Sequence, residues 1–388
     1  MPSWNIPLSD LDYGQEEMDA VARVLRSKWL SMGPEVESFE AEFAAMQGVR
    51  YALAVSSATA GLHLAYLAAG IGTGDEVIQP ALNFVGAANM TVACGATPVF
   101  ADIIGLPEPT IDPADVADLI TPQTKALVVM HYGGNFCRMA ELLTLCRERN
   151  IALIEDACHA VGARYHDALG RPPHGTMAGS IGEIGTFSFF ANKNLVTGEG
   201  GMIVANREDL AAKARLFRSH GMTSLTWDRH RGHASTYEVI SHGYNYRVDE
   251  LHAALGRAQL KKLSGNNERR RKLLYCYKNA IDSMQGWIMP FSESIEDSAG
   301  HLMVAVAPTA RARDEAVNRL RTSGVQSSLH YPSIADFPAF AKRTNEPLSI
   351  TREFVSKAIT LPLYPTMAEK DVARVCTLIN QTTAVGKL

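Results

Sequence analysis

Lys193 stands between two asparagines in Phe187-Ser-Phe-Phe-Ala-Asn-Lys193, where a β-rich run gives way to the glycines of Gly198-Glu-Gly-Gly201. A lysine held where a strand ends and a turn begins can form an imine with a carbonyl cofactor, and Ser188 lies five residues before it. About thirty-five residues upstream, Ile151-Ala-Leu-Ile-Glu-Asp-Ala-Cys-His159 reads as a buried parallel strand whose C-terminal end delivers Glu155, Asp156 and His159 into solvent or a site. Ligands of open α/β sheets collect at that edge. A carboxylate there can pair with a protonated ring nitrogen, and Asp156 is the residue chosen for that role. A third segment begins at Tyr51 as an apolar strand, turns through Ser56, Ser57 and Thr59, and continues as an alanine- and leucine-rich helix. Small residues, unpaired first-turn amides and the helix dipole together make a seat for phosphate.

These three segments need a scaffold that brings strand ends together, and the pattern around them supplies one. Strands are expected at 51–55, 75–79, 98–102, 126–131, 151–155, 186–190 and 201–205, alternating with helices near 59–69, 85–94, 113–120 and 139–149. That alternation predicts an α/β fold with a mostly parallel seven-stranded sheet covered by helices. Two helices precede it, one carrying Met18, Val21, Val24 and Leu25 at helical spacing and one carrying Val36, Phe39 and Phe43. From Val248 a further helix leads out of the large domain, with Ser264-Gly-Asn-Asn267 as the expected bend. The expected division is a large domain over 1–263 and a smaller C-terminal α/β domain over 264–388. The small domain is expected to hold strands at 301–307 and 325–329 and helices at 311–323, 350–358 and 368–381. Its turn Leu329-His330-Tyr331-Pro332 carries groups that could face a substrate.

Composition bounds the function class. The 388 residues are 46% hydrophobic and 20% charged, enough for a sizeable core and above the size at which single cores split. A net charge of −4 gives no footprint for nucleic acid or an anionic membrane, and the run Arg269-Arg-Arg-Lys272 is expected to be a solvated helix face. The six cysteines occur singly and read as reduced thiols of a cytoplasmic protein, with Cys158 a small packed residue rather than a nucleophile. The histidines show no metal-ligand spacing, and no signal peptide or membrane span is expected.

In this order the segments resemble one family over nearly the whole chain. Gly33-Pro34, Phe39-Glu40, Ser56-Ser-Ala-Thr-Ala60, Gly72-Thr-Gly-Asp-Glu-Val-Ile78, Asn83-Phe84, Glu155-Asp-Ala-Cys-His159, Phe187-Ser-Phe-Phe-Ala-Asn-Lys193, Gly198-Glu-Gly-Gly201, Gly243-Tyr-Asn-Tyr-Arg247 and Leu361-Pro-Leu-Tyr-Pro365 are similar to motifs of the DegT/DnrJ/EryC1/StrS sugar aminotransferases. The resemblance implies a fold type I enzyme using pyridoxal 5′-phosphate, with pyridoxamine 5′-phosphate as its other form. It implies that Lys193 forms the imine, that Asp156 contacts the pyridine nitrogen, and that His159 hydrogen-bonds the phenolic oxygen, where many relatives carry glutamine. Phe84 would stack on the ring, where relatives often use tryptophan. Ala58, Thr59 and Ser188 would hold the phosphate, and Ala58 replaces a glycine of most relatives, which matters only if that position needs positive φ. Asn245 or Arg247 would reach the phosphate of a neighbouring subunit, implying a homodimer with shared sites.

The implied reaction moves an amino group from an amino acid, L-glutamate by resemblance, to a keto group of a nucleotide-linked deoxysugar. A keto-cyclitol or other nucleotide-free ketone is an alternative acceptor. Sugar dehydration on the same scaffold is a rival, but dehydrating relatives carry histidine in place of the lysine. A sensor or regulatory protein would tolerate loss of Lys193 or Asp156, and both are present.

Overall fold

The computed structural model describes residues 4–166, 175–224, 226–232, 235–340 and 347–381. Helices α1 (Gln15–Ser27) and α2 (Pro34–Gln47) lead into β1 (Tyr51–Val55), α3 (Ala58–Ala68), β2 (Glu76–Pro80), α4 (Gly86–Ala93), β3 (Thr97–Ala101), α5 (Pro113–Leu119), β4 (Thr124–Met130), α6 (Met139–Arg149) and β5 (Ala152–Asp156). A two-residue pair, β6 (Arg164–Tyr165) and β7 (Thr176–Met177), precedes β8 (Ile184–Ser188), β9 (Gly201–Ala205), α7 (Glu208–Arg218), α8 (Thr226–His230) and α9 (Glu250–Ile281). The C-terminal part contains β10 (Met303–Val306), α10 (Ala310–Thr322), α11 (Ser349–Lys357), β11 (Ala358–Leu361) and α12 (Glu369–Asn380).

Seven strands form the central sheet in the order β1-β9-β8-β5-β4-β2-β3. Only β9 runs against its neighbours β1 and β8; the other pairings are parallel. Alternation along each strand sends side chains to two cores. Leu53, Val55, Val128, Ile154 and Ile203 pack with α3 on one face, and Leu127, Val129 and Leu153 pack with α6 on the other. Both faces are therefore covered, as a parallel sheet requires.

Several expectations need correction. Of the four apolar residues of α1, only Val24 is buried; Met18 is 60% and Leu25 56% exposed, while Glu17, Ala20 and Val24 face α9. The buried Glu17 is held there by Gln259 and Lys262, so the inward face is set by a polar anchor and not by the apolar stripe. The bend at 264–267 does not occur. Helix α9 runs unbroken for 32 residues, packing on α1 and α2 near its start and on α12 further on. Asn267 inside it has a structural duty that overrides its low helix propensity, donating to Val161 O at 2.9 Å and accepting from Asn194 at 2.8 Å. Arg270 is not on a solvated face but 3% exposed, donating to Leu363 O, and burial lowers its pKa to about 10. Near 325–329 only isolated bridges form, at Val325 with Ile6 and at Ser328 with Thr360; the partner of β10 is β11, antiparallel.

Candidate active site

Strand ends and helix starts meet at one edge of the sheet around a cavity of about 390 Å³. Its wall includes Ser57, Ala58, Thr59, Asn83, Phe84, Asp156, Cys158, His159, Ser188, Lys193, His330 and Tyr331. Seven of the nine expected site residues thus share one cavity. Asn245 and Arg247 do not line it: Asn245 is exposed and bridged through its backbone to Ser219, and Arg247 is half-buried near Arg218.

Each wall residue is placed by its element. Lys193 closes a turn in which its N–H donates to Phe190 O at 2.9 Å, while Phe189 bonds back to Gly200 and Thr197. Burial lowers the Lys193 pKa, opposed by Cys158 and Asp156. A larger fraction of the amine is therefore neutral and nucleophilic than on a surface lysine. Asp156 ends β5 on the α3 side of the sheet and is 5% exposed; its Oδ1 accepts from Cys158 N at 3.2 Å. Burial raises its pKa, against the Cys158 hydrogen bonds and the charges of Lys193 and His131. Burial also holds the Cys158 thiol well above its ordinary range, which makes it inert as a nucleophile.

Glu155, expected to emerge with Asp156, points to the opposite face and is fully buried. One oxygen meets His131 Nε2 at 2.8 Å and accepts from Gly179 N at 2.8 Å; the other accepts from Ile181 N at 2.7 Å and Gly182 N at 2.5 Å. It is a structural anchor, since period-two alternation forbids neighbours on a strand from sharing a face.

The anion seat is the start of α3. Ser57 caps the helix, its Oγ accepting from Ala60 N at 3.1 Å, which leaves the Ala58 and Thr59 amides without intrahelical partners. Ala58 has negative φ, so its exchange for the glycine of relatives costs no strain. Ser188 at the end of β8 is 8% exposed; its Oγ accepts from Phe190 N at 3.3 Å and keeps a hydrogen to donate. Strand β9 passes so close that a Cβ on Gly201 would lie 2.7 Å from Ala58 N and 2.7 Å from Phe187 O. Phe84 is 55% exposed, its ring centroid 5.9 Å from that of Tyr331.

Asn83 is a wall residue with no role read from the sequence. Its Oδ1 accepts from Phe84 N at 2.6 Å, and its amide nitrogen is buried without a partner among the described residues. A second cavity, of about 440 Å³, lies beside Arg138 and His166, but these are paired with Glu108 and Asp297 and no lysine lines it.

These observations fit pyridoxal phosphate. A buried carboxylate with no cation hydrogen-bonded to it among the described residues suits a protonated ring nitrogen, unpaired amides at a helix start suit a phosphate, and a lysine of lowered pKa suits a carbonyl. The fold and the cavity together are those of a pyridoxal-phosphate-dependent fold type I enzyme. Residues 11–380 match the model of the DegT/DnrJ/EryC1/StrS aminotransferase family, and the chain belongs to that family. It is accordingly a pyridoxal-phosphate-dependent aminotransferase. It is 40% identical over 369 residues, 92% of each chain, to the spore coat polysaccharide biosynthesis protein SpsC of Bacillus subtilis. Among solved structures, the aminotransferase TlmJ of Streptoalloteichus hindustanus superposes with a TM-score of 0.88 at 32% identity, covering 98% of this chain and 99% of the other. DesI, solved in the presence of its TDP-sugar product, gives 0.86 at 28% identity, covering 100% and 94%.

Proposed function

We propose that the enzyme transfers an amino group from an amino acid, L-glutamate, to the keto group of a nucleotide-linked deoxysugar. The observation that carries this is the placement of Lys193 in the cavity with Asp156, beside the unpaired amides of α3. The bound cofactor supplies an electron sink for the carbanion formed at the donor's α-carbon. Lys193 would hold the cofactor's carbonyl carbon, and its amine, whose pKa burial lowers, would be the base that moves the proton of the donor's α-carbon. Asp156 keeps the ring nitrogen protonated. Ala58, Thr59 and Ser188 hold the phosphate, and Phe84 offers a ring face for stacking.

The acceptor class rests on two likenesses, to a polysaccharide biosynthesis protein and to a structure solved with a TDP-sugar. Lys193 favours amination over dehydration. Asn245 and Arg247, outside their own chain's cavity, fit the proposal that they complete the cavity of a second copy. Exposed Tyr237, Val239, Ile240 and Tyr244 on the same segment, and Met18 and Leu25 of α1, offer apolar surface for that contact.

The test is spectroscopic and sequential. The purified protein should be yellow with pyridoxal phosphate, lose that band on adding L-glutamate, and regain it on adding a nucleotide-linked ketosugar. A protein that takes up no cofactor would sink the reading altogether. Recovery with a free keto-cyclitol but not with the nucleotide sugar would replace the acceptor.

A further inference from the structure

His159 is 3% exposed, and both its ring nitrogens have neighbours that fix the position of its hydrogen. Gly133 N–H donates to Nδ1 at 3.4 Å, so Nδ1 is the acceptor. Burial first, then the neighbouring basic groups Lys193 and His330, which disfavour a further positive charge, holds the imidazole neutral, so its single hydrogen is on Nε2. Nε2 lies 2.8 Å from Tyr331 Oη and therefore donates to it. The tyrosine hydroxyl thus accepts from His159 and retains its own hydrogen, for which the described residues provide no acceptor.

Tyr331 is held in place from several sides. The Tyr132 hydroxyl donates to the carbonyl of His330, and the His330 ring is 3.0 Å from Thr360 Oγ1 on β11. Beyond Pro332, Ser333 bridges Leu82 and Ile334 N donates to Ala81 O at 2.9 Å. The segment is strapped to the end of β2, immediately before Asn83 and Phe84. Behind His159, His301 lies with its ring centroid 4.4 Å away. Its Nδ1 donates to Asn194 Oδ1 at 2.9 Å, because the Asn194 amide nitrogen is already committed to Asn267 and Ala299. The Tyr331 ring is 5.9 Å from Phe84 and 5.8 Å from His159 between centroids. Its hydroxyl therefore stands between the ring platform and the imidazole, in the wall that also contains Lys193.

We infer that Tyr331, and not His159, is the residue that donates a hydrogen bond to the phenolic oxygen of the bound cofactor, with His159 the positioning residue that orients the tyrosine. The inference rests on the pyridoxal-phosphate site described above and gives it a donor from the C-terminal part of the chain. A donor to the phenolic oxygen draws charge away from the oxygen that shares the proton of the nitrogen joining Lys193 to the cofactor. Deprotonation of that nitrogen becomes easier, and its pKa is lowered. Removing the donor raises it.

The test is a pH titration of the visible band of the holoenzyme, which follows that proton without substrate or turnover. Tyr331→Phe should still bind cofactor stoichiometrically and should titrate about one unit or more higher than the wild type, a tenfold shift in the proton equilibrium. His159→Ala should shift the same way by less, since the hydroxyl remains but is no longer held. Titration of Tyr331→Phe at the wild-type pH would overturn the inference. So would a shift in His159→Ala larger than that in Tyr331→Phe, which would assign the contact to the imidazole. A wild-type protein with no visible band is a different result, since it removes the cofactor reading itself. Loss of cofactor from Tyr331→Phe with the thermal midpoint of the apoenzyme unchanged would also count against the inference, which expects stoichiometric binding.

Discussion

Glu155 and Asp156 are both buried carboxyls, and what separates them is the supply of donors. Four groups meet the oxygens of Glu155, whereas among the described residues Asp156 is served only by Cys158, and it faces the cavity. Asp156→Asn should keep the fold and bind cofactor but lose turnover by about 10²–10³-fold, because an amide cannot hold a ring proton in place. Half-reaction rates beside cofactor stoichiometry measure this, and turnover at the wild-type rate would reduce Asp156 to a structural cap. Glu155→Gln places an amide NH₂ against backbone donors and should lower stability by about 2–4 kcal/mol, read from denaturant unfolding. Lys193→Ala should fold normally, hold cofactor only reversibly and show no half-reaction with glutamate. Normal bleaching by glutamate in that variant would remove Lys193 from the mechanism.

At the scale of elements, the site is a meeting of α3, β5, β8, the turn after β8, and the 330–334 strap. Strand β9 also closes on the start of α3, where a Cβ on Gly201 would lie 2.7 Å from Ala58 N. Gly201→Ala should force these apart, costing about 1–3 kcal/mol in stability and weakening cofactor binding more than a substitution elsewhere in β9. Thermal unfolding of apoenzyme and a cofactor titration separate the two effects; unchanged affinity would show that the seat tolerates the shift. The same convergence gathers three imidazoles, His159, His301 and His330, all with pKa lowered by burial, His330 to about 4. Groups whose folded pKa lies below the unfolded value of about 6.5 contribute stability that is full above that pH and is lost as pH falls toward 4. Asp156 and Glu250, with raised carboxyl pKa, and His252, raised by Asp249, act in the opposite sense, while His63, lowered by burial, adds to the three, of which His159 and His301 are held well below their ordinary value. The apoenzyme's thermal midpoint should therefore fall by roughly 5 °C between pH 6.5 and 4.5, and a flat profile would contradict the neutral histidines.

For the whole molecule, the proposed partner contribution makes a mixing prediction. Co-expressed Lys193→Ala and Asn245→Ala/Arg247→Ala chains should form heterodimers with one intact site and recover activity toward half that of the wild type, although each variant alone is nearly inactive. Heterodimers that form without recovery would mean that each chain builds its own site. Within one chain, α9 joins the two ends of the molecule without a hinge at 264–267, so the relation of the cavity wall to Tyr331 depends on packing rather than on a flexible linker.

The sequence by itself determined the central sheet and seven of the residues that meet at the cavity. Alternating apolar strands and helices, a capped helix start after β1, and a lysine before glycines are local patterns, and local patterns survive in a linear chain. The polarity of α1 was not legible, because Glu17 turns inward only when Gln259 and Lys262, more than two hundred residues away, are there to meet it. Nor was the continuity of α9, whose Asn267 is a breaker in sequence and a bonded anchor in the fold. Tertiary structure alone decided that Glu155 turns away to an anchoring role and which hydrogen the wall offers. Those depend on strand register and on partners such as Gly133 and Tyr331, brought beside His159 by folding.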